Sequence, residues 1–282
     1  MLACATHAMP RIQTSSITLH CETTGQGPPV LFIHGLGSCT EDWEPQVRAF
    51  SGAYQVITFD LRGHGRSDVP RGPYSIPLFA ADTAGLLATL PAGPAHVVGL
   101  SLGGCVAMQL ALDDPGRVRS LVIVNSAPEF IRRSLFTLLE GMRRTVIVHW
   151  RGLRALGERI SRRLLPDPAQ EALRAAFVER FAQNDPSAYL NSLKALVGWS
   201  VTARLPAIRC PTLIVASEHD YTPVGMQEKY ARRIPGARFV TIPGAHHAVP
   251  VERPNTFNAV LADFWTMLDA PPEMPPPAPP GA

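Results

Sequence analysis

Gly99-Leu100-Ser101-Leu102-Gly103 sets a hydroxyl between two glycines. The run Ala95-His96-Val97-Val98 precedes it and Gly104-Cys105-Val106-Ala107-Met108-Gln109-Leu110-Ala111-Leu112 follows. The first run reads as a strand and the second as a helix. A serine at such a junction forms a nucleophile elbow: the tight turn strains the serine backbone, and side chains at its neighbours would collide with strand and helix. Glycines at 99 and 103, with Gly104 beside them, remove those collisions. The hydroxyl then stands clear of the backbone, and the Leu102 amide at the helix start points where an oxyanion would develop. A bare G-x-S-x-G recurs by chance, so the flanking strand and helix give this one its meaning.

A nucleophilic serine needs a base, and the base needs an orienting acid. The apolar run Pro211-Thr212-Leu213-Ile214-Val215-Ala216 reads as a late buried strand, followed by Glu218, His219 and Asp220 and then Thr222-Pro223. Ala237-Arg238-Phe239-Val240-Thr241-Ile242 reads as another strand and leads into Pro243-Gly244-Ala245-His246-His247. The order is Ser, Asp, His, each on a loop leaving the C-terminal end of a strand, where open α/β sheets place their sites.

These motifs resemble those of α/β-hydrolases with a helical cap, over roughly residues 15 to 268. The matching pieces are His34-Gly35 after Val30-Leu31-Phe32-Ile33, the run Asp60-Leu61-Arg62-Gly63-His64-Gly65-Arg66-Ser67-Asp68, the elbow, Ser217-Glu218-His219-Asp220, and Gly244-Ala245-His246-His247 followed by Glu252 and Pro254. The resemblance implies Ser101 as nucleophile and Asp220 as acid. It selects His247 as base, five residues before Glu252, although His246 stands where the family usually has glycine. It also implies the Leu36 and Leu102 amides as the oxyanion donors. Asp60 to Asp68 reads mainly as structure, with Gly63 and Gly65 making a turn and Arg62 and Asp68 able to pair. Haloalkane dehalogenases and epoxide hydrolases share this frame but carry an aspartate at the position of Ser101, which sets them aside.

The implied architecture is an α/β-hydrolase fold, a mostly parallel central sheet flanked by helices, with an inserted all-helical cap. The expected segments are 1–14 as an N-terminal piece, 15–125 and 207–268 as the core, 126–206 as the cap and 269–282 as a Pro-rich tail. Apolar residues at three- and four-residue spacing predict cap helices over Glu129–Trp150, Arg154–Leu164, Pro168–Gln183 and Ser187–Gly198, broken at Pro166, Pro168 and Pro186. The tail, rich in proline, is suited neither to helix nor to a sheet ladder.

A length of 282 residues with 46% hydrophobic content suits one large α/β domain with an insertion. No apolar run approaches the ~20 residues that span a bilayer. The first nine residues lack the basic and apolar regions of a signal peptide, so a cytoplasmic protein is expected. Cys4, Cys21, Cys39, Cys105 and Cys210 are odd in number and scattered, which suggests neither a disulfide framework nor a zinc site. Cys39 lies near the oxyanion loop, but an incidental buried thiol is the reading adopted. No metal or cofactor is expected. The net charge of +3 is modest, and no basic segment interleaved with aromatics suggests nucleic acid.

The cap sets the substrate. Its Phe, Leu and Trp residues favour an apolar acyl or alkyl group. Trp150, Trp199 and Phe130 are the pocket candidates, while most of Phe136, Leu138, Met142, Val146, Phe177, Phe181 and Leu196 belong to packing. The cap arginines, from Arg132, Arg133, Arg143 and Arg144 through Arg162 and Arg163 to Arg180, outnumber its acids. They read as a solvated, salt-bridged face, with an anionic substrate or acyl-carrier protein as the competing reading. The expected function is a serine hydrolase acting on a small carboxylic ester, lactone or thioester through an acyl-enzyme. Carbon–carbon bond hydrolysis, enol-lactone hydrolysis and a slow-turnover signalling receptor remain open on the same triad, and so do monomer and homodimer.

Overall fold

The computed structural model describes residues 11–14, 16–91, 93–130 and 135–269, the side chains of 135–138 and 269 excepted. Residues 1–10 of the N-terminal piece and 270–282 of the Pro-rich tail, together with Arg132 and Arg133, lie outside the described residues, as do the side chains of Phe136 and Leu138.

A small antiparallel pair, β1 (Ile12–Gln13) and β2 (Thr18–Leu19), precedes the main sheet. The sheet itself comprises β3 (Cys21–Thr24), β4 (Pro29–Ile33), β5 (Gln55–Phe59), β6 (Ala95–Leu100), β7 (Val118–Val124), β8 (Thr212–Ser217) and β9 (Arg238–Ile242). Their spatial order is β3-β5-β4-β6-β7-β8-β9, with β3 antiparallel and every other pairing parallel. The central strands read Val-Leu-Phe-Ile and Leu-Val-Ile-Val because both faces are buried, as a parallel sheet covered by helices requires.

The helices are α1 (Glu44–Phe50), α2 (Ile76–Thr89), α3 (Leu102–Asp113), α4 (Leu135–Leu164), α5 (Glu171–Ala182), α6 (Pro186–Leu196), α7 (Val224–Ala231), α8 (Val249–Glu252) and α9 (Pro254–Asp269). The order reverses between β4, which leads outward to β5, and β6, which begins the run the other way. That switch point opens a crevice at the carboxyl ends of the strands. Two core clusters, one on each sheet face, include Phe79, Leu102 and Val106 on one side and Trp43, Phe257 and Trp265 on the other.

Helices α4 to α6 fill the connection between β7 and β8. The predicted break between Trp150 and Arg154 falls at Gly152, whose φ of 75° and ψ of 177° interrupt α4. The predicted start at Glu129 is corrected: Glu129 forms a β-bridge with Ser200, and the Phe130 amide donates to Trp199 O at 3.0 Å. These residues are extended because they tie the two ends of the insertion together. Among the described residues no helix is long and apolar enough to cross a membrane.

Candidate active site

Ser101 has φ 56° and ψ −114°, a left-handed conformation that a residue with a Cβ rarely adopts. Its amide donates to Val124 O at 2.9 Å, which pins the turn to the neighbouring strand. A Cβ on Gly99 would come within 2.2 Å of Gly103 O, and one on Gly103 within 2.1 Å of Ile33 O. The predicted steric reason for both glycines therefore holds in atomic detail.

His247 is buried at the end of the loop after β9, and its Nδ1 lies 2.6 Å from Asp220 Oδ1 on the loop after β8. An ionised carboxylate only accepts, so Nδ1 carries the proton and Nε2 is left with a lone pair. Asp220 also receives the Tyr221 amide at 2.8 Å and the Gln227 side-chain amide at 3.4 Å. The adjacent His246 turns elsewhere: its Nδ1 lies 2.7 Å from Glu252 Oε1, and its backbone amide donates to Glu252 Oε2 at 2.6 Å. The two histidines thus have separate carboxylates.

Ser101 and His247 line one cavity of about 620 Å³, together with His34, Gly35, Leu36 and Tyr221. Ile33 at the end of β4 is in register with Gly99 of β6, so the loop carrying Leu36 and the elbow lie on either side of the switch point. The Leu36 amide and the Leu102 amide donate to no described residue. Two unpaired donors on adjoining loops beside a serine can bind an anionic oxygen. His34 holds the first of these loops. The Leu61 amide donates to its Nε2 at 2.9 Å, so its Nδ1 donates to Gly35 O at 2.8 Å, and burial pushes its pKa down to about 4. It is a neutral brace.

Two further site residues, Tyr221 and Asn125, belong to none of the motifs read from the sequence. Tyr221 stacks on His247 with ring centroids 4.0 Å apart in the cavity wall, and desolvation there, followed by the charge of Asp220, raises its pKa. Asn125, at φ 45° just beyond β7, donates from Nδ2 to Ser217 Oγ at 2.8 Å and to His247 O at 2.9 Å, and its Oδ1 accepts from the Ser217 amide at 2.8 Å. An Asn after a strand does hint at positive φ, since Asn tolerates that region.

Of the pocket candidates, Phe130 lines the cavity and the two tryptophans do not. Trp150 is 84% exposed. It continues the stripe Leu139, Met142, Val146 on the outer face of α4, while Glu140, Gly141 and Arg144 face the cavity. Apolar spacing identified a face but not its direction. Trp199 packs against the core and donates from Nε1 to Gln109 Oε1 at 2.8 Å. The expected Arg62–Asp68 pair is also corrected. Arg62 forms a buried two-pronged contact with Asp82 on α2 at 2.5 and 2.7 Å, and Asp68 pairs with Arg11. Cys39 is buried with Sγ 2.6 Å from Glu41 Oε2. Among the described residues no cluster of three or more His, Cys, Asp or Glu side chains is placed to hold a metal ion.

Residues 28–254 match the family model of the alpha/beta hydrolase fold, and the chain belongs to that family. It is a hydrolase. Among its relatives is a protein of Azorhizobium caulinodans named as a carbamate hydrolase, RutD. That protein is 33% identical over 93% of this chain and all of its own length. The enol-lactonase of Burkholderia xenovorans LB400 is 27% identical with a TM-score of 0.84, covering 91% of this chain and 100% of its own. A malate-bound thermophilic esterase from Thermogutta terrifontis is 28% identical with a TM-score of 0.83, covering 92% and 98% respectively.

Proposed function

We propose that the chain is a serine acyl hydrolase that cleaves a small ester, lactone or thioester through an acyl-enzyme. The observation that carries this reading is a positive-φ serine sharing one cavity with a histidine whose Nδ1 is fixed 2.6 Å from a buried aspartate. Ser101 Oγ attacks the substrate carbonyl as His247 Nε2 takes its proton. The carbonyl oxygen becomes an oxyanion held by the Leu36 and Leu102 amides, each worth on the order of 3 kcal/mol to the transition state. His247 then gives the proton to the leaving group, and Asp220 stabilises the imidazolium without taking the proton itself. In the second half a water, deprotonated by His247, attacks the acyl carbon and releases the acid with Ser101 restored.

We read residues 126–206 as the cap that roofs this cavity. A volume of about 620 Å³ suits a small molecule, and much of the lining is apolar, with Leu36, Phe130, Leu164 and Phe177 among its residues. The names of three relatives, carbamate hydrolase, enol-lactonase and esterase, each denote hydrolysis at a carbonyl carbon, which supports the reaction class.

The test is Ser101→Ala. It is expected to abolish labelling by a fluorophosphonate probe and to lower kcat on short p-nitrophenyl esters by roughly four to six orders of magnitude. Thermal stability should change little, because the hydroxyl contributes little packing. Undiminished labelling in the variant would remove Ser101 from the mechanism.

A further inference from the structure

The cavity is lined by five cationic side chains, Arg144, Arg163, Arg180, Lys229 and Arg233, against three acids, Asp42, Glu129 and Glu140. Two of the acids are already matched: Arg180 Nη2 lies 2.5 Å from Asp42 Oδ1, and Arg144 Nε lies 3.0 Å from Glu140 Oε1. Glu129 accepts the Ser200 hydroxyl at 3.3 Å. Arg163, Lys229 and Arg233 form no ion pair among the described residues. Arg163 is close to the chemistry. Its guanidinium carbon is 5.6 Å from the centroid of the Tyr221 ring, and that ring is stacked 4.0 Å from His247.

A solvated helix face places its cations on one helix, directed at water and interleaved with acids. All three unpaired cations here are exposed to solvent, yet all three also line the cavity. Arg163 comes from the end of α4, whereas Lys229 and Arg233 come from α7 and the turn beyond it, so two separate elements present unneutralised cations to one cavity. Low-dielectric walls focus the field of such charges into the cavity. A guanidinium fork also matches the geometry of a carboxylate.

We propose that the substrate carries an anionic group, specifically a carboxylate, which Arg163 receives with Lys229 and Arg233 while the ester or lactone carbonyl reaches Ser101. This rests on the acyl hydrolase reading. The carboxylate can belong to the acyl half or to the leaving half, and two matched pairs of substrates separate these: mono-p-nitrophenyl glutarate against p-nitrophenyl pentanoate, and 4-acetoxybenzoate against its methyl ester.

In the full chain, at least one pair is expected to favour the anion by tenfold or more in kcat/KM, after normalisation to the uncatalysed hydroxide rates. Arg163→Gln is expected to lower that ratio at least tenfold, and Arg163→Lys to restore part of it. An anion preference below tenfold in both pairs overturns the proposal. So does a preference that survives in the triple variant Arg163→Gln, Lys229→Gln, Arg233→Gln. Fluorophosphonate labelling of Ser101 in the same preparations keeps the two readings apart. A labelled enzyme that hydrolyses neutral esters without anion preference defeats this inference alone, whereas an enzyme whose turnover does not depend on Ser101 defeats the acyl hydrolase reading itself.

Discussion

His246 and His247 are covalent neighbours with opposite surroundings, and the carboxylate that each meets assigns its task. His247 meets Asp220 at 2.6 Å inside the cavity, whereas His246 meets Glu252, a carboxylate with only 4% of its side chain exposed. Replacing His247 by alanine removes the ring that takes the serine proton in the proposed mechanism, so kcat should fall by several orders of magnitude. Replacing His246 by alanine should retain most of the activity. It should instead cost about 1–3 kcal/mol of stability, because Glu252 is left buried with the His246 backbone amide but without the imidazole. Esterase kinetics and thermal midpoints of the two variants check this, and a larger kinetic loss at His246 would exchange their roles. At this scale the sequence carried the tight turn at Ser101 plainly, because glycines at 99 and 103 are demanded by contacts of 2.2 and 2.1 Å. Tyr221 was illegible for the opposite reason. Nothing in the letters of a loop tells that its ring will lie on an imidazole 26 positions later, since only the convergence of two loops brings them together.

At the scale of elements, the site depends on strand ends being held in step. Asn125 closes β7 against β8 and the histidine loop through three hydrogen bonds of 2.8 to 2.9 Å, and its own φ is 45°. Asn125→Ala leaves the buried Ser217 amide unpaired and puts alanine, which tolerates the left-handed region less well than asparagine, at a φ of 45°. Together these should cost about 3 kcal/mol. The backbone of His247 loses an anchor, so kcat should drop by roughly tenfold or more, the usual consequence of a small misplacement of a reacting group. Asn125→Gly relieves the backbone strain alone and should recover only part of the loss. Urea unfolding and esterase rates measure both effects, and wild-type stability in the alanine variant would refute the anchoring role. The strands were readable in sequence because runs such as Val30–Ile33 and Leu121–Val124 are apolar on both faces and bounded by turn residues. The partner of Arg62 was not, because Asp68 is near in sequence while Asp82 is brought to it by α2 packing on the sheet. Trp150 failed likewise: the period of α4 shows a stripe, and tertiary packing decides that Arg144 and Glu140, not the stripe, face the cavity.

For the whole molecule, the same burial that organises the oxyanion loop makes the fold sensitive to acid. His34 and His64 are fully buried with ring centroids 5.1 Å apart. Burial lowers the pKa of His34 from 6.5 to about 4, and burial together with the charge of His34 lowers that of His64 to about 3. The unfolded chain therefore binds protons below pH 6.5 that the folded chain refuses. Stability is full above pH 6.5 and is lost as pH falls from there toward the folded values. Over the window from 6.5 to about 4 each histidine contributes on the order of 3 kcal/mol of loss, since one pKa unit is about 1.4 kcal/mol. Two such losses are comparable with the whole stability of an ordinary domain. Buried Asp60 opposes this trend, because burial raises its pKa and the folded chain then takes up that proton more readily than the unfolded chain as pH falls, whereas Glu41, with a lowered pKa, adds to the loss. Urea midpoints measured at pH 7, 5.5 and 4.5 should fall steadily at an unchanged slope. His64→Asn offers an amide N–H near the position of Nδ1, which donates to Arg62 O at 3.0 Å, and cannot take up a proton. That variant should show about half the wild-type pH dependence, and a wild-type midpoint that stays level from pH 7 to 4.5 would contradict the neutral, buried state of the pair.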